Sequence, residues 1–133
     1  MTDEEKRAVA VQRFWELAEE SLASARREFE HESFVFAFNR IYYAAFYAVN
    51  AAWMQDGRHF TKHAAVRSSL HKDLIHEGKL PIAQGAFFDR AFENRQQGDY
   101  WLFFTFSPDD VKLEIEQCAV FLEAIRPLIR SLP

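Results

Sequence analysis

Two short polar clusters interrupt otherwise apolar stretches of this sequence, and both carry groups that could act on a phosphate. The first combines an amide, a guanidinium and two phenols in the order Asn39-Arg40-Ile41-Tyr42-Tyr43-Ala44-Ala45-Phe46. The second reads Arg95-Gln96-Gln97-Gly98-Asp99-Tyr100. A buried amide or charge without a partner is costly. The two clusters must therefore satisfy each other, bind a ligand or meet a partner chain.

Arg95 is the candidate phosphate-binding group of the second cluster. Asp99 follows one helical turn later, a spacing that lets a carboxylate orient the guanidinium. The planar guanidinium can donate two parallel hydrogen bonds to phosphate oxygens, and Tyr100 adds a hydroxyl donor beside it. An ordinary surface ion pair would have the same sequence, so both interpretations stay open.

The first cluster supplies the candidate ligand-binding residues Asn39, Arg40 and Tyr43. Asn39 and Tyr43 lie one turn apart on a helix, whereas Arg40 points about 100° away from Asn39. His63, near the start of the next helix, can fold back toward the tyrosines and joins the predicted site. In the alternative interpretation, the amide and the phenols are core groups that bond to a neighbouring helix.

Five helices and no strands are predicted to position these clusters. Apolar residues recur at a spacing of three to four, and no alternating pattern bounded by turn residues is present. The predicted helices run from Thr2 to near Glu30, from Ser33 toward Gly57, from Thr61 to before Gly78, around Phe87 to Gly98, and from Ser107 along a stripe that reaches Ile129. The predicted fold is all-α, an up-and-down bundle of four to five antiparallel helices.

Composition places these helices in a single domain that spans residues 1–133. The net charge of −4 argues against coating nucleic acid through bulk electrostatics, so any RNA binding must be local. The single cysteine and an N-terminus without an apolar stretch favour the cytoplasm, and no window suits a membrane span. The 14 phenylalanines exceed the needs of one small core. The aromatic residues 103–106 therefore either cover one end of the bundle or form a homodimer interface.

A metal site is the competing chemical interpretation of the histidines, and the sequence does not favour it. His59 and His63 are four residues apart. If Thr61 caps the third helix, His59 lies outside that helix and the one-face geometry that zinc requires is lost. No cysteine or carboxylate is spaced to complete a tetrahedral site. We expect neither a metal nor another cofactor.

In combination, these motifs resemble the HEPN domain family. The resemblance is carried by Asn-Arg-x-Tyr-Tyr-Ala-Ala-Phe at 39–46, by Lys62-His63, and by Arg-x-x-Gly-Asp-Tyr at 95–100, and it covers nearly the whole chain in order. It is strongest to the small stand-alone prokaryotic members. The resemblance implies a helical bundle that dimerises, and a toxin–antitoxin context with a small nucleotidyltransferase as partner.

The resemblance also implies a site at the dimer interface, where active members use an arginine and a histidine four to six residues later for metal-independent RNA cleavage. Here the corresponding window after Arg95 holds Asp99, Tyr100 and Trp101, and no histidine. Whether the chain is an enzyme thus stays open. We expect an RNA or nucleotide phosphate bound by Arg95, with Asp99 orienting the guanidinium and Tyr100 either donating a hydrogen bond or weakly replacing the histidine. If the chain is active, Arg95, Asp99 and Tyr100 are the candidate catalytic residues. The alternative is a non-catalytic module that pairs with a nucleotidyltransferase. A related hypothesis is that this partner nucleotidylates a hydroxyl of the cluster at 95–100.

Overall fold

The computed structural model describes residues 1–98 and 105–132, and it confirms the predicted all-α fold. Five helices carry the chain, and the described residues contain no strand. Their bounds are α1 (Asp3–Glu30), α2 (Phe34–Met54), α3 (His63–Leu70), α4 (Ile82–Gly98) and α5 (Pro108–Ile125). A π-helical turn (His71–Ile75) continues α3, and a 3₁₀ turn (Arg126–Leu128) continues α5. None of the described helices is both long and apolar enough to span a bilayer.

Contacts between side chains define an up-down-up-down bundle. Phe29 at the end of α1 meets Phe34 at the start of α2, and Phe14 meets Tyr47 further along, so α1 and α2 are antiparallel. The same reasoning makes α4 and α5 antiparallel, because early α4 contacts late α5 through Phe87 and Phe121. The helix α3 crosses between α2 and α4.

The start signals of the helices were predicted with unequal success. The capping box of α1 is present: Thr2 Oγ1 accepts a hydrogen bond from the Glu5 N–H at 3.1 Å, and the Glu5 carboxylate accepts one from the Thr2 N–H at 3.3 Å. Ser107 occupies the N-cap position of α5, although its side chain makes no capping bond. The prediction that Thr61 starts the third helix was wrong, because Lys62 is the N-cap residue and its extended backbone leads into His63.

Two helix ends also fall earlier than their apolar stripes suggested. The helix α2 ends at Met54, and the chain turns through Gly57 in the left-handed region at φ 78°. The helix α5 ends at Ile125, because Pro127 cannot donate the backbone hydrogen bond that would continue it. Ile129 is nevertheless buried beyond the 3₁₀ turn.

The central helix α2 packs against the other four helices and contributes more to the described core than any other helix. Thirteen of its residues are buried, many of them alanines that let neighbouring helices approach closely. Buried Asn50 ties the loop after α2 to this core, because its Oδ1 accepts from the Phe60 N–H at 3.2 Å and its Nδ2 donates to the Phe46 carbonyl at 3.3 Å. This anchor fixes the path of the chain just before His63. Phe106 contributes from the other end, with its ring 4.4 Å from that of Phe38.

Candidate phosphate-binding site

An aromatic cluster on α2 and the first residue of α3 forms the centre of the candidate site. Tyr42 is fully buried, and its ring contacts those of Tyr43, Phe46 and His63 at centroid distances of 5.4, 6.0 and 5.4 Å. The geometry follows from helix periodicity, because residues 42, 43 and 46 share one face of α2. We call Tyr42, Tyr43, Phe46 and His63 the aromatic cluster.

A hydrogen bond between Tyr42 and His63 fixes the imidazole within this cluster. The Tyr42 hydroxyl lies 2.8 Å from His63 Nδ1. Burial raises the pKa of Tyr42 well above its ordinary value, so the phenol stays protonated. Burial, and secondarily the positive charge of Arg95, lower the pKa of His63 below 6.5. At neutral pH the imidazole is therefore uncharged, and its Nε2 makes no hydrogen bond to any described residue.

Arg95 reaches the same cluster from the last turn of α4. Its guanidinium carbon lies 5.3 Å from the centroid of the Tyr42 ring and 5.5 Å from that of Tyr43. Both distances permit a cation–π attraction. The Nε atom of Arg95 is buried and has no hydrogen-bond partner among the described residues. In the parts of the chain that the structure describes, no carboxylate pairs with this guanidinium.

Three of the predicted site residues, Tyr43, His63 and Arg95, thus come together in space. Asn39 and Arg40 form a separate pair, since Arg40 Nη1 donates to Asn39 Oδ1 at 2.6 Å and Arg40 Nε donates to Ser24 Oγ of α1 at 3.1 Å. No hydrogen bond between described residues joins that pair to Arg95. The predicted residues Asp99 and Tyr100 lie outside the described residues.

Arg67 is a neighbour of the site that sequence reasoning missed. Its Nε donates to Asp89 Oδ1 at 2.8 Å, and its guanidinium carbon lies 4.9 Å from the centroid of the Phe92 ring. His71 Nε2 lies 2.9 Å from the same carboxylate oxygen. The available signal was the spacing of His63 and Arg67, which places both on one face of α3. Arg67 adds positive charge near Tyr42, but Asp89 offsets much of it.

The other histidine considered as a metal ligand lies in a different environment from His63. The His59 ring packs against Phe14 of α1, at a centroid distance of 5.3 Å. Within residues 1–98 and 105–132, no group of three or more histidine, cysteine or acidic side chains comes together in a way that could hold a metal ion.

Comparison with known proteins gives one family and three curated relatives. The family model described as the HEPN domain matches residues 11–128. A "UPF0332 protein" of Thermotoga maritima is 37% identical over 115 residues, which cover 86% of this chain and 87% of that protein.

Two relatives come from Methanocaldococcus jannaschii. The one named "Putative toxin MJ0142" is 25% identical over 121 residues, which cover 91% of this chain and 82% of that protein. The one named "Putative toxin MJ0605" is 26% identical over 124 residues, which cover 92% and 90% of the two chains.

Proposed function

Because the chain belongs to the HEPN domain family, we propose that it is a toxin-type protein in which Arg95 binds a phosphate group of RNA. The names of the two archaeal relatives support the toxin context. The proposal includes the homodimer that the sequence motifs led us to expect. It assigns ligand contacts to Arg95, His63 and Tyr43.

The observation that carries this proposal is the state of the Arg95 side chain. A guanidinium with a buried, unpartnered Nε and no paired carboxylate among the described residues retains its positive charge beside two phenol rings. Desolvation of that charge is unfavourable unless a ligand offsets it. A phosphate oxygen is a suitable partner, because hydrogen bonds between ionised groups are about twice as strong as neutral ones.

His63 gives the same site an acid–base group. In the neutral tautomer whose Nδ1–H donates to the Tyr42 oxygen, Nε2 of His63 is unprotonated and can accept the proton of an RNA 2′-hydroxyl as that oxygen forms its bond to phosphorus. The bond from phosphorus to the 5′-oxygen then breaks, and that oxygen takes up a proton from water, which leaves a 2′,3′-cyclic phosphate and a 5′-hydroxyl. Arg95 stabilises the negative charge that gathers on the phosphoryl oxygens. In this proposal His63 supplies the imidazole that the sequence window after Arg95 lacks, and Tyr42 holds its ring in place.

The test compares RNA binding and cleavage by the parent protein and by an Arg95→Ala variant, in buffer that contains EDTA. We expect the variant to bind a labelled single-stranded RNA at least about tenfold more weakly, the loss of one charge-assisted hydrogen bond. Arg130→Ala is the matched control, because Arg130 is 71% exposed and paired with Asp56 far from the cluster. Equal binding and cleavage by the parent and Arg95→Ala proteins would refute the assignment.

A His63→Ala variant separates binding from cleavage. If His63 transfers protons, this variant retains RNA binding within a few-fold while cleavage is lost. If both variants bind RNA normally and neither they nor the parent cleave it, the alternative of a non-catalytic partner module is favoured. The Asn39–Arg40–Ser24 hydrogen bonds already suit that alternative, because they pair the amide and the guanidinium of the first polar cluster within the chain.

A further inference from the structure

A second polar cleft lies along the face of α4 that carries Arg90, Asn94 and Gln97, and the phosphate site does not use it. It opens between α4, α5 and residues 105–106, with a volume of about 390 Å³. That volume falls within the usual range for small-molecule sites. Its polar lining residues include Arg90, Asn94, Gln97, Asp110 and Glu114.

Glu114 is the unusual residue of this cleft. Only 8% of it is exposed, and its Oε1 accepts a hydrogen bond from Arg90 Nε at 3.2 Å. The other carboxylate oxygen, Oε2, is buried and receives no hydrogen bond from a described residue. A buried acceptor of this kind is unfavourable without a donor, and Glu114 is one of the residues that line the cleft. The missing donor is therefore expected to come from a ligand.

The remaining groups of the cleft define the chemistry of that ligand. The terminal nitrogens of Arg90 make no hydrogen bond to a described residue, so they can donate to a ligand acceptor. Asn94 and Gln97 add amide groups that can donate or accept. Phe38 and Phe106 supply an aromatic wall. A planar heterocycle with both donors and acceptors along its edge fits this combination.

We propose that this cleft binds a guanine base of the RNA whose phosphate contacts Arg95. Guanine presents two adjacent donors, N1–H and the N2 amino group, and the acceptors O6 and N7. The donors match the carboxylates of Glu114 and Asp110, while Arg90 matches the acceptors. Single-stranded RNA is read in this way, through base edges and aromatic contacts.

The position of the cleft along the helices supports one ligand that reaches both sites. Asn94 of the cleft directly precedes Arg95 in α4, and Phe38 lies one turn before Tyr42 in α2. A base and a phosphate of the same strand can then be bound side by side. This inference rests on the proposed function, since it assigns a base preference to the same RNA.

The test uses two fluorescein-labelled uridine hexamers, one with a single guanosine and one with adenosine at the same position. Fluorescence anisotropy is expected to show about tenfold tighter binding of the guanosine probe, the value of one or two hydrogen bonds. Glu114→Gln removes the carboxylate with little change of shape and should abolish the preference. Glu116→Gln is the control, because that exposed residue of α5 does not line the cleft.

Each outcome decides between the two proposals. Equal binding of both hexamers by the parent protein overturns the guanine site and leaves phosphate binding by Arg95 standing. No binding of either hexamer overturns both. If Glu114→Gln fails to fold, as judged by circular dichroism, the exposed Asp110→Asn replacement takes its place. A guanosine preference unchanged by the substitution of Glu114, or of Asp110 in that case, also overturns the guanine site.

Discussion

Replacing Arg95 by methionine tests whether this side chain serves function or stability. The two cation–π contacts with Tyr42 and Tyr43 stabilise the fold by about 0.5–1 kcal/mol each. Burial of the unpartnered Nε opposes them by about 1–3 kcal/mol. Methionine keeps a flexible apolar stem that packs well against aromatic rings. The two opposing contributions are similar in size, so Arg95→Met should change the free energy of unfolding by less than about 1 kcal/mol in either direction.

Urea unfolding, followed by far-ultraviolet circular dichroism, measures this change. Arg67→Met is the matched control, because Arg67 also lies over an aromatic ring but pairs with Asp89 at 2.8 Å. Its loss leaves a half-buried carboxylate with one partner fewer, and we expect a destabilisation of about 1 kcal/mol. Arg67→Met is thus expected to lose more stability than Arg95→Met, whereas Arg95→Met is expected to lose more RNA affinity than Arg67→Met.

A destabilisation of more than about 3 kcal/mol in Arg95→Met would contradict this reasoning, because a loss of that size is typical of breaking a buried charge network. Arg95 would then be a structural residue that the core requires. Unchanged RNA binding by the Arg95→Met variant would also indicate that Arg95 serves the stability of the fold and not ligand binding.

Two further predictions concern the surroundings of the site, and a third concerns the end of α5. Tyr42→Phe removes the hydrogen bond to His63 and should cost about 1 kcal/mol in urea unfolding, whereas Tyr43→Phe should cost less than about 0.5 kcal/mol because its hydroxyl bonds to no described residue. Burial, and secondarily the charge of Arg95, lower the pKa of His63 from 6.5 in the folded state, so the unfolded chain binds the proton more readily. The free energy of unfolding should therefore fall as the pH drops below about 6.5. The His63→Gln variant should show a smaller decline when urea unfolding is measured at several pH values. The Gln55 side chain makes hydrogen bonds to two backbone groups beyond the end of α5. Gln55→Ala should therefore lower the free energy of unfolding by about 1–2 kcal/mol, and an unchanged melting temperature would show that these two bonds do not stabilise the fold.

The sequence predicted the fold well because helix signals are local. The capping box at Thr2 and the proline after Ser107 act within one turn, and the apolar stripes report burial directly. The start of α3 was misplaced because it does not depend on local signals alone. Thr61 has the side chain of a good cap, but the Asn50 bond to the Phe60 N–H fixes the loop so that the cap falls one residue later, at Lys62. A contact from another helix overrode the local preference.

The site was harder to predict, because its geometry depends on how distant helices pack. The sequence placed Arg95 among the candidate residues but offered Asp99 as its partner, since that pair obeys helix spacing. The contact of Arg95 with the Tyr42 and Tyr43 rings spans more than fifty positions and depends on the packing of α4 against α2. Arg67 was missed for the same reason, since its carboxylate partner Asp89 lies on α4.

The way the arginines of α3 and α4 are held argues for a role of Arg95 beyond packing. Arg67 pairs with Asp89 and Arg90 pairs with Glu114, and each pair joins two helices. Arg95 faces two phenol rings instead and has no carboxylate partner among the described residues. Aromatic faces attract a cation without cancelling its charge, so the positive potential remains available to an anion. Burial lowers the pKa of His63, and the charge of Arg95 lowers it further, so the residue that would bind phosphate also helps to keep the neighbouring imidazole neutral and able to accept a proton.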